Sequence, residues 1–269
     1  MERVDITIIG AGIIGLAVAE VLSEPNRSVL LVEKESGFGK HTSSRNSEVI
    51  HSGIYYPQNS LKTRLCVSGN SRLYEFARQH SIPHENCGKI VIATDPQELV
   101  QLDLLQQNGE RNGVPGLKRL GKHQLKIRCP QVKGIEGLWV PSTGIIDSHR
   151  IMQTLEMLVE KKGGMIAYHT ELTGASRISE EYELYFADGS RIQTRYLINA
   201  AGLFSDKISE MLGIDTLSSG LRIHWCKGEY FKSSKIKNIE QLIYPLPDPK
   251  GIFLGIHLTI NLEGEVRFG

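Results

Sequence analysis

Cysteine is scarce in this chain. Four residues, Cys66, Cys87, Cys129 and Cys226, are spread over 269 positions with no C-x-x-C pair. That spacing excludes a zinc ribbon and a thioredoxin-like motif, and it fits free thiols in a reducing compartment. An excess of either charge is also missing. The 31 Lys and Arg residues balance 30 Asp and Glu, for a formal net charge of +1. No basic field is left to hold nucleic acid, and no polybasic tail to hold a membrane surface. Outside one glycine-interrupted segment, no apolar run reaches the ~20 residues of a transmembrane helix. Internal repeats and low-complexity tracts are absent too. These absences predict no nucleic-acid partner and no transmembrane segment. They predict a cytoplasmic location, with a peripheral place at the inner face of a membrane as the alternative. The remainder is ordinary globular composition, 40% hydrophobic and 23% charged. A chain this long can form one large domain or two intergrown ones.

The stretch over residues 4–33, VDITIIGAGIIGLAVAEVLSEPNRSVLLVE, organises the rest. Its β-branched run over 6–9 suits a buried parallel strand. Gly10, Gly12 and Gly15 follow in G-x-G-x-x-G spacing. A helix is expected over 11–22 and a second apolar strand over 29–32, ending on Glu33. In such a βαβ unit the first glycine permits the tight turn. The second lets backbone approach a pyrophosphate, and the third lets the helix pack on the strand. The helix N-terminus offers N–H groups and a positive dipole end to phosphates. A carboxylate at the end of the second strand can accept bonds from ribose hydroxyls, which favours NAD or FAD over NADP. A signal peptide is a poor competing interpretation, because three glycines interrupt the apolar region and no basic segment precedes it.

Beyond Glu33, residues 42–47 form a dense polar run, Thr42, Ser43, Ser44, Arg45, Asn46 and Ser47. It reads either as a plain surface loop or as a lining for a phosphate-rich ligand. VIHSGIYY follows. A helix is expected over 60–80 with Ser60 as N-cap, then a strand over 88–93 and a helix over 95–113 with a proline in its first turn. A short helix should end at Pro130, and a strand-turn-strand piece should span 137–147. Ser148 caps a helix to about position 162, and a short strand follows over 165–168. A hairpin turns at Asp188-Gly189, a buried strand runs over 196–200, and a helix opens at Ser205-Asp206. Everything from 221 onward reads as β. This order predicts an α/β (α+β) chain in which a Rossmann-type nucleotide domain is interleaved with a second domain. The expected ranges are 1–80 with 145–215, and 81–144 with 216–269.

Several of these stretches carry a family resemblance. IIGAGIIGLA, LLVEKE, RNSEVIHSGIYY, SLKTRLCVSGN, NCGKIVIAT, WVPSTGIID, LINAAGLFSD, KGEYF, IYPLPDP and FLGIHLT span essentially the whole chain. Together they resemble the FAD-dependent D-amino acid oxidase superfamily, and within it the L-2-hydroxyglutarate dehydrogenase/oxidase family. The resemblance implies a Rossmann-type FAD domain, an antiparallel-sheet substrate domain, and oxidation of L-2-hydroxyglutarate to 2-oxoglutarate with hydride passed to flavin. It implies that Gly10, Gly12, Gly15 and Glu33 contact the ADP half of FAD. Ser43, Ser44, Arg45 and Ser47 would lie along the phosphates and ribityl chain, and Gly202 and Asp206 would belong to the second flavin-contact strand. Two departures stand out. Glu48 occupies a position where the family usually has glycine. The family also continues past the RFG stretch into a further flavin-contacting segment, so the resemblance implies an incomplete substrate domain and a weak catalyst over these 269 residues.

Oxidising a 2-hydroxy acid removes the hydroxyl proton and the alpha hydrogen. A base titrating near neutrality serves the first task. Of nine histidines, His51, directly after the polar loop, is the first candidate and His257 the second. For each, the alternative is a core histidine bonded to backbone. A dianionic substrate needs partners for two carboxylates. Arg45, Lys227 and Arg267 offer charge, and Tyr55, Tyr56, Tyr230 and Tyr244 offer hydroxyls; Tyr56, Lys227, Tyr230 and Tyr244 are the preferred set. The alternatives are solvated surface charge for the cations and core packing for the tyrosines. The expected partners are a small dicarboxylate and an electron acceptor, quinone or oxygen. Two further readings compete: an amino-acid or sarcosine-type oxidase, and a non-catalytic flavin-binding remnant.

Overall fold

The computed structural model describes residues 2–247 and 255–269. The chain divides into two compact units. One comprises Met1–Asn46 and Ser148–Cys226, the other Ser47–Asp147 and Lys227–Gly269. Residues 47–80, expected with the nucleotide domain, therefore pack in the second unit, and 216–226 pack in the first. Among the described residues no helix is long and apolar enough to cross a membrane.

The first unit is a six-stranded sheet. Its order is Leu172–Ile178, Glu181–Phe186, Arg191–Asn199, Glu2–Ile9, Val29–Val32, Met165–Ala167. The last four strands run parallel and the first two extend the sheet antiparallel. The apolar runs read from the sequence fall in the parallel centre, with Ile6 opposite Val29 and Ile9 opposite Val32. Val4, Ile9, Val32, Leu184 and Phe186 are buried there together with Ile208 of helix Ser205–Met211. Helix Ile13–Leu22 packs on helix Ser148–Lys161. The first helix starts two residues later than expected, because Gly12 keeps extended backbone as its N-cap.

The second unit is built on a seven-stranded sheet. Its order is Phe231–Ser233, Val266–Phe268, Leu258–Ile260, Leu242–Pro245, Lys89–Ala93, Glu136–Val140, Lys118–Gly121. The expected antiparallel sheet is in fact mixed, since Leu242–Pro245 runs parallel to Lys89–Ala93. The long connection between those strands leaves room for a parallel pairing that a hairpin cannot make. Lys89–Ala93 is buried throughout. Helix Leu61–Gln79 is capped by Ser60, whose hydroxyl accepts from the Thr63 amide, and helix Leu99–Arg111 follows a turn at Pro96–Glu98. A small sheet joins Val49–Ile50, Gly144–Ile146 and His84–Glu85. Residues 221–230, expected as strand, hold no regular element. Their β-forming side chains lie in solvent, with Trp225 70% exposed, so intrinsic preference finds no sheet to join. IYPLPDP and FLGIHLT are described only in part, because 248–254 lie outside the described residues.

Gly15 is where the first helix touches the first strand. A Cβ added there would run into the carbonyl oxygen of Gly10. Gly15→Ala should therefore push the helix off the sheet and cost about 1–3 kcal/mol, lowering Tm by about 2–4 °C per kcal/mol. Thermal unfolding measures this, and an unchanged Tm would rule out the close contact.

Candidate functional site

In the first unit the chemistry-bearing residues collect at the carboxyl ends of the parallel strands. Gly10 has a φ of +103°, and a Cβ there would lie 2.7 Å from the Ala200 carbonyl oxygen. Its amide donates to Val32 at 2.8 Å, which ties the turn to the second strand. One residue on, the Ala11 amide donates to a Glu33 carboxylate oxygen at 2.8 Å, and the other oxygen accepts from Glu35 at 3.0 Å. At the helix N-terminus the Ile13 amide donates to Ser43 Oγ at 3.0 Å. A side chain on Gly12 would meet that same oxygen at 3.0 Å. Glycines, helix amides, a serine hydroxyl and the strand-end acid thus meet at one point, the arrangement that holds a dinucleotide.

The polar run beyond them is partly a short 3-10 helix, Thr42–Ser44. Ser44 Oγ donates to the His41 carbonyl at 3.0 Å, and Arg45 reaches Ser44 Oγ at 3.3 Å while remaining exposed. Ser47 begins the second unit. Beside it Glu48 has a φ of +58°, the left-handed region that favours glycine. Gly202 and Asp206 follow the strand Arg191–Asn199 rather than lying on it. Gly202 opens a 3-10 turn with φ +55°, and nothing lies within 4 Å of where its Cβ would be. Asp206 is buried and accepts from the Lys207 amide at 2.9 Å and the Ile223 amide at 3.3 Å. Its carboxylate braces the turn.

A second cluster forms within the second unit. Asn70 Nδ2 donates to the His51 carbonyl at 3.0 Å and to Ser142 at 2.8 Å, which pins the backbone at His51. His257 Nδ1 donates to the Gly255 carbonyl at 3.3 Å, so Nε2 is the acceptor for the Tyr230 hydroxyl, also at 3.3 Å. The Tyr244 ring stacks on His257 at 4.7 Å between centroids. Lys89 joins these residues. Its ammonium lies 4.4 Å from the Tyr55 ring centroid and 4.9 Å from that of Tyr244. Tyr56 carries the Lys62 ammonium 4.4 Å over its ring.

Desolvation governs the charges in this cluster. His51 is open to solvent, yet protein crowds it closely enough that burial pulls its pKa to about 4, with Lys89, Lys62 and His257 adding repulsion. Burial also lowers His257. The phenols of Tyr55, Tyr56 and Tyr244 are pushed up, first by burial. Lys89, 1% exposed, is drawn down to about 7 by burial, against a smaller opposing effect of Cys66. Both imidazoles are neutral at pH 7, and each phenol keeps its proton.

Of the sequence candidates, the structure brings together His51, Tyr55, Tyr244, His257 and Tyr230. Lys227 stands apart, exposed and paired with Glu229 at 2.7 Å. Arg267 pairs with Glu265 at 3.3 Å. Lys89 is absent from the sequence-derived candidates; NCGKIVIAT shows only a lysine beside an apolar run, and its burial comes from the strands that flank it. Its burial has a measurable consequence. The unfolded chain holds this proton up to about 10.5, the folded chain only up to about 7. The unfolded state therefore binds more protons between those values, and the native state is penalised increasingly as pH falls from 10.5 to 7, then evenly below. Lys89→Met should stabilise the fold by on the order of a few kcal/mol at pH 7 and by much less near pH 10.5. Denaturant titrations at the two pH values test this, and an equal difference at both would refute it.

With the geometry in place, comparisons with known proteins give one answer. The family described as FAD dependent oxidoreductase matches residues 5–269. The mitochondrial L-2-hydroxyglutarate dehydrogenase of Arabidopsis thaliana is 36% identical and matched over 100% of this chain and 62% of its own length. The L-2-hydroxyglutarate dehydrogenase of Escherichia coli strain K12 is 35% identical over 98% of this chain and 63% of its own. This chain thus spans about three fifths of the length of these curated relatives. Among solved structures, an L-alpha-glycerophosphate oxidase from Mycoplasma pneumoniae with FAD bound superimposes with a TM-score of 0.86 at 22% identity, covering 100% of this chain and 71% of that one. Glycine oxidase from Geobacillus kaustophilus gives 0.81 at 15% identity, covering 100% and 71%. At such identities these likenesses speak for the fold alone. Glycine turn, strand-end acid, mixed α/β architecture and whole-length family match converge: the chain belongs to the FAD dependent oxidoreductase family.

Proposed function

We propose that the protein is a FAD-dependent dehydrogenase or oxidase that converts L-2-hydroxyglutarate to 2-oxoglutarate. The observation that carries this reading is similarity along almost the whole chain, at 34–37% identity, to curated relatives of that name from plants, mammals and bacteria. The neighbours that act on amino acids are 15–19% identical and support only the shared architecture.

The residues of the first unit suit a flavin dinucleotide. The Gly10–Gly15 turn keeps side chains out of the space before the helix N-terminus, where amides meet a pyrophosphate. Glu33, now bonded to Ala11 and Glu35, has the placement to take ribose hydroxyls. Ser43, Ser44 and Arg45 would supply short donors along phosphates and ribityl chain, and Gly202 an uncluttered backbone approach. FAD, when bound, supplies the two-electron acceptor for the alpha hydrogen. In the second unit His51, neutral at pH 7, accepts the hydroxyl proton. A pKa near 4 is low for this task, but a dianionic substrate beside the ring favours the imidazolium and draws the pKa back toward neutrality. His257 and Tyr230, already hydrogen-bonded to each other, orient the hydroxyl end, and Tyr56 and Tyr244 line the acid's chain. The final electron acceptor is a quinone or oxygen, and the location is cytoplasmic or peripheral at the inner face of a membrane.

Production of 2-oxoglutarate from L-2-hydroxyglutarate with an artificial acceptor tests the activity. No turnover on this acid by flavin-loaded protein would defeat the reading. Gly12→Val places a branched side chain against Ser43 and the helix N-terminus, so flavin absorbance per protein should collapse while circular dichroism persists. Full flavin content in that variant would remove the turn from the cofactor site. His51→Asn should lower kcat by about 10²-fold or more, the usual worth of a positioned general base. A drop within about threefold, under ~0.7 kcal/mol of barrier, would reject the catalytic role.

A further inference from the structure

We infer that Lys89 is the anchor for a substrate carboxylate, a buried ammonium held between the rings of Tyr55 and Tyr244 in the cluster that contains His51 and His257. This inference rests on the 2-hydroxyglutarate reading and gives the acid its cationic partner.

The surroundings of Lys89 carry the argument. It is the first residue of the buried strand Lys89–Ala93, and its side chain does not reach bulk water, being 1% exposed. Burying a lysine without a counter-charge is expensive, so such residues are almost always paired. Among the described residues no carboxylate lies within ion-pair distance of its ammonium; Glu265 is held by Lys232 and Arg267, and Glu136 by Arg119. Two phenol rings, 4.4 and 4.9 Å away, hold the ammonium in place through their faces but do not neutralise it. The Tyr55 hydroxyl is buried with no hydrogen-bond partner among the described residues. A carboxylate entering here would find an ammonium and a free phenol together. Of the other cations considered for this task, Lys227 pairs with Glu229 and Arg267 with Glu265, and the exposed Arg45 belongs to the first unit. Burial that lowers the affinity of Lys89 for its proton is relieved by an incoming anion, so binding and charging reinforce each other.

The experiment uses the flavin-loaded full-length protein with Lys89→Met and Lys89→Gln, two uncharged side chains of similar length. The substrates are 2-hydroxyglutarate and 2-hydroxybutyrate, which lacks the distal carboxylate. Glutarate and butyrate serve as non-reacting ligands, with Kd measured by calorimetry. Loss of a charge-assisted contact should raise the KM for 2-hydroxyglutarate and the Kd of glutarate by about thirtyfold, with a smaller change in kcat. Lys89→Arg, which keeps the charge, should recover part of the loss. If 2-hydroxybutyrate kinetics stay at wild-type values, the anchored group is the distal carboxylate; if both acids suffer alike, it is the carboxylate beside the hydroxyl. A glutarate Kd within about threefold of wild type in both uncharged variants, or a loss confined to kcat, would overturn the inference. Wild-type protein that binds glutarate but oxidises no 2-hydroxyglutarate would instead defeat the functional reading, while the variants still judge Lys89 through Kd.

Discussion

Backbone-to-backbone contact between Gly15 and Gly10 sets the geometry of the first unit. With no Cβ on Gly15, helix Ile13–Leu22 settles directly on the turn that ends strand Glu2–Ile9. That proximity aims the helix N-terminus at the strand ends and brings the Ile13 amide to Ser43 and the Ala11 amide to Glu33. The same turn is fastened on both sides, by the Gly10 amide to Val32 and by the Ala200 amide to Ile9. A small displacement of the helix would loosen all of these bonds together, because interiors at close-packed density do not absorb it locally.

In the second unit desolvation plays the corresponding part. One buried strand carries a lysine into an aromatic enclosure, and the low polarity there lowers the proton affinity of the bases and raises the pKa of the phenols. The result is a cluster nearly free of fixed negative charge and rich in groups that gain by meeting an anion.

The first unit was legible because local pattern and tertiary role coincide there. A glycine spacing, a β-branched run and a strand-end acid each have one physical use in a βαβ unit, and Ser60 and Pro96 marked helix starts by the same local logic. Lys89 escaped because its meaning is tertiary. A lysine next to an apolar run looks like a strand edge until Leu242–Pro245 and Glu136–Val140 close on both sides. The segment 221–230 failed in the opposite direction, with β-forming side chains and no neighbouring strand to satisfy them. Lys227, a candidate substrate cation in the sequence, stands exposed and paired with a glutamate two residues away.

Glu48 shows how a residue can be chosen against its own backbone. At φ +58° an L side chain costs the folded state about 1–2 kcal/mol. Glycine would remove that strain, but it would also give the unfolded ensemble more conformations to lose, worth about 0.4–1 kcal/mol in the other direction. About half of the strain remains, so glutamate rather than glycine costs the fold roughly 0.5–1 kcal/mol net, a cost that sits where the second unit begins.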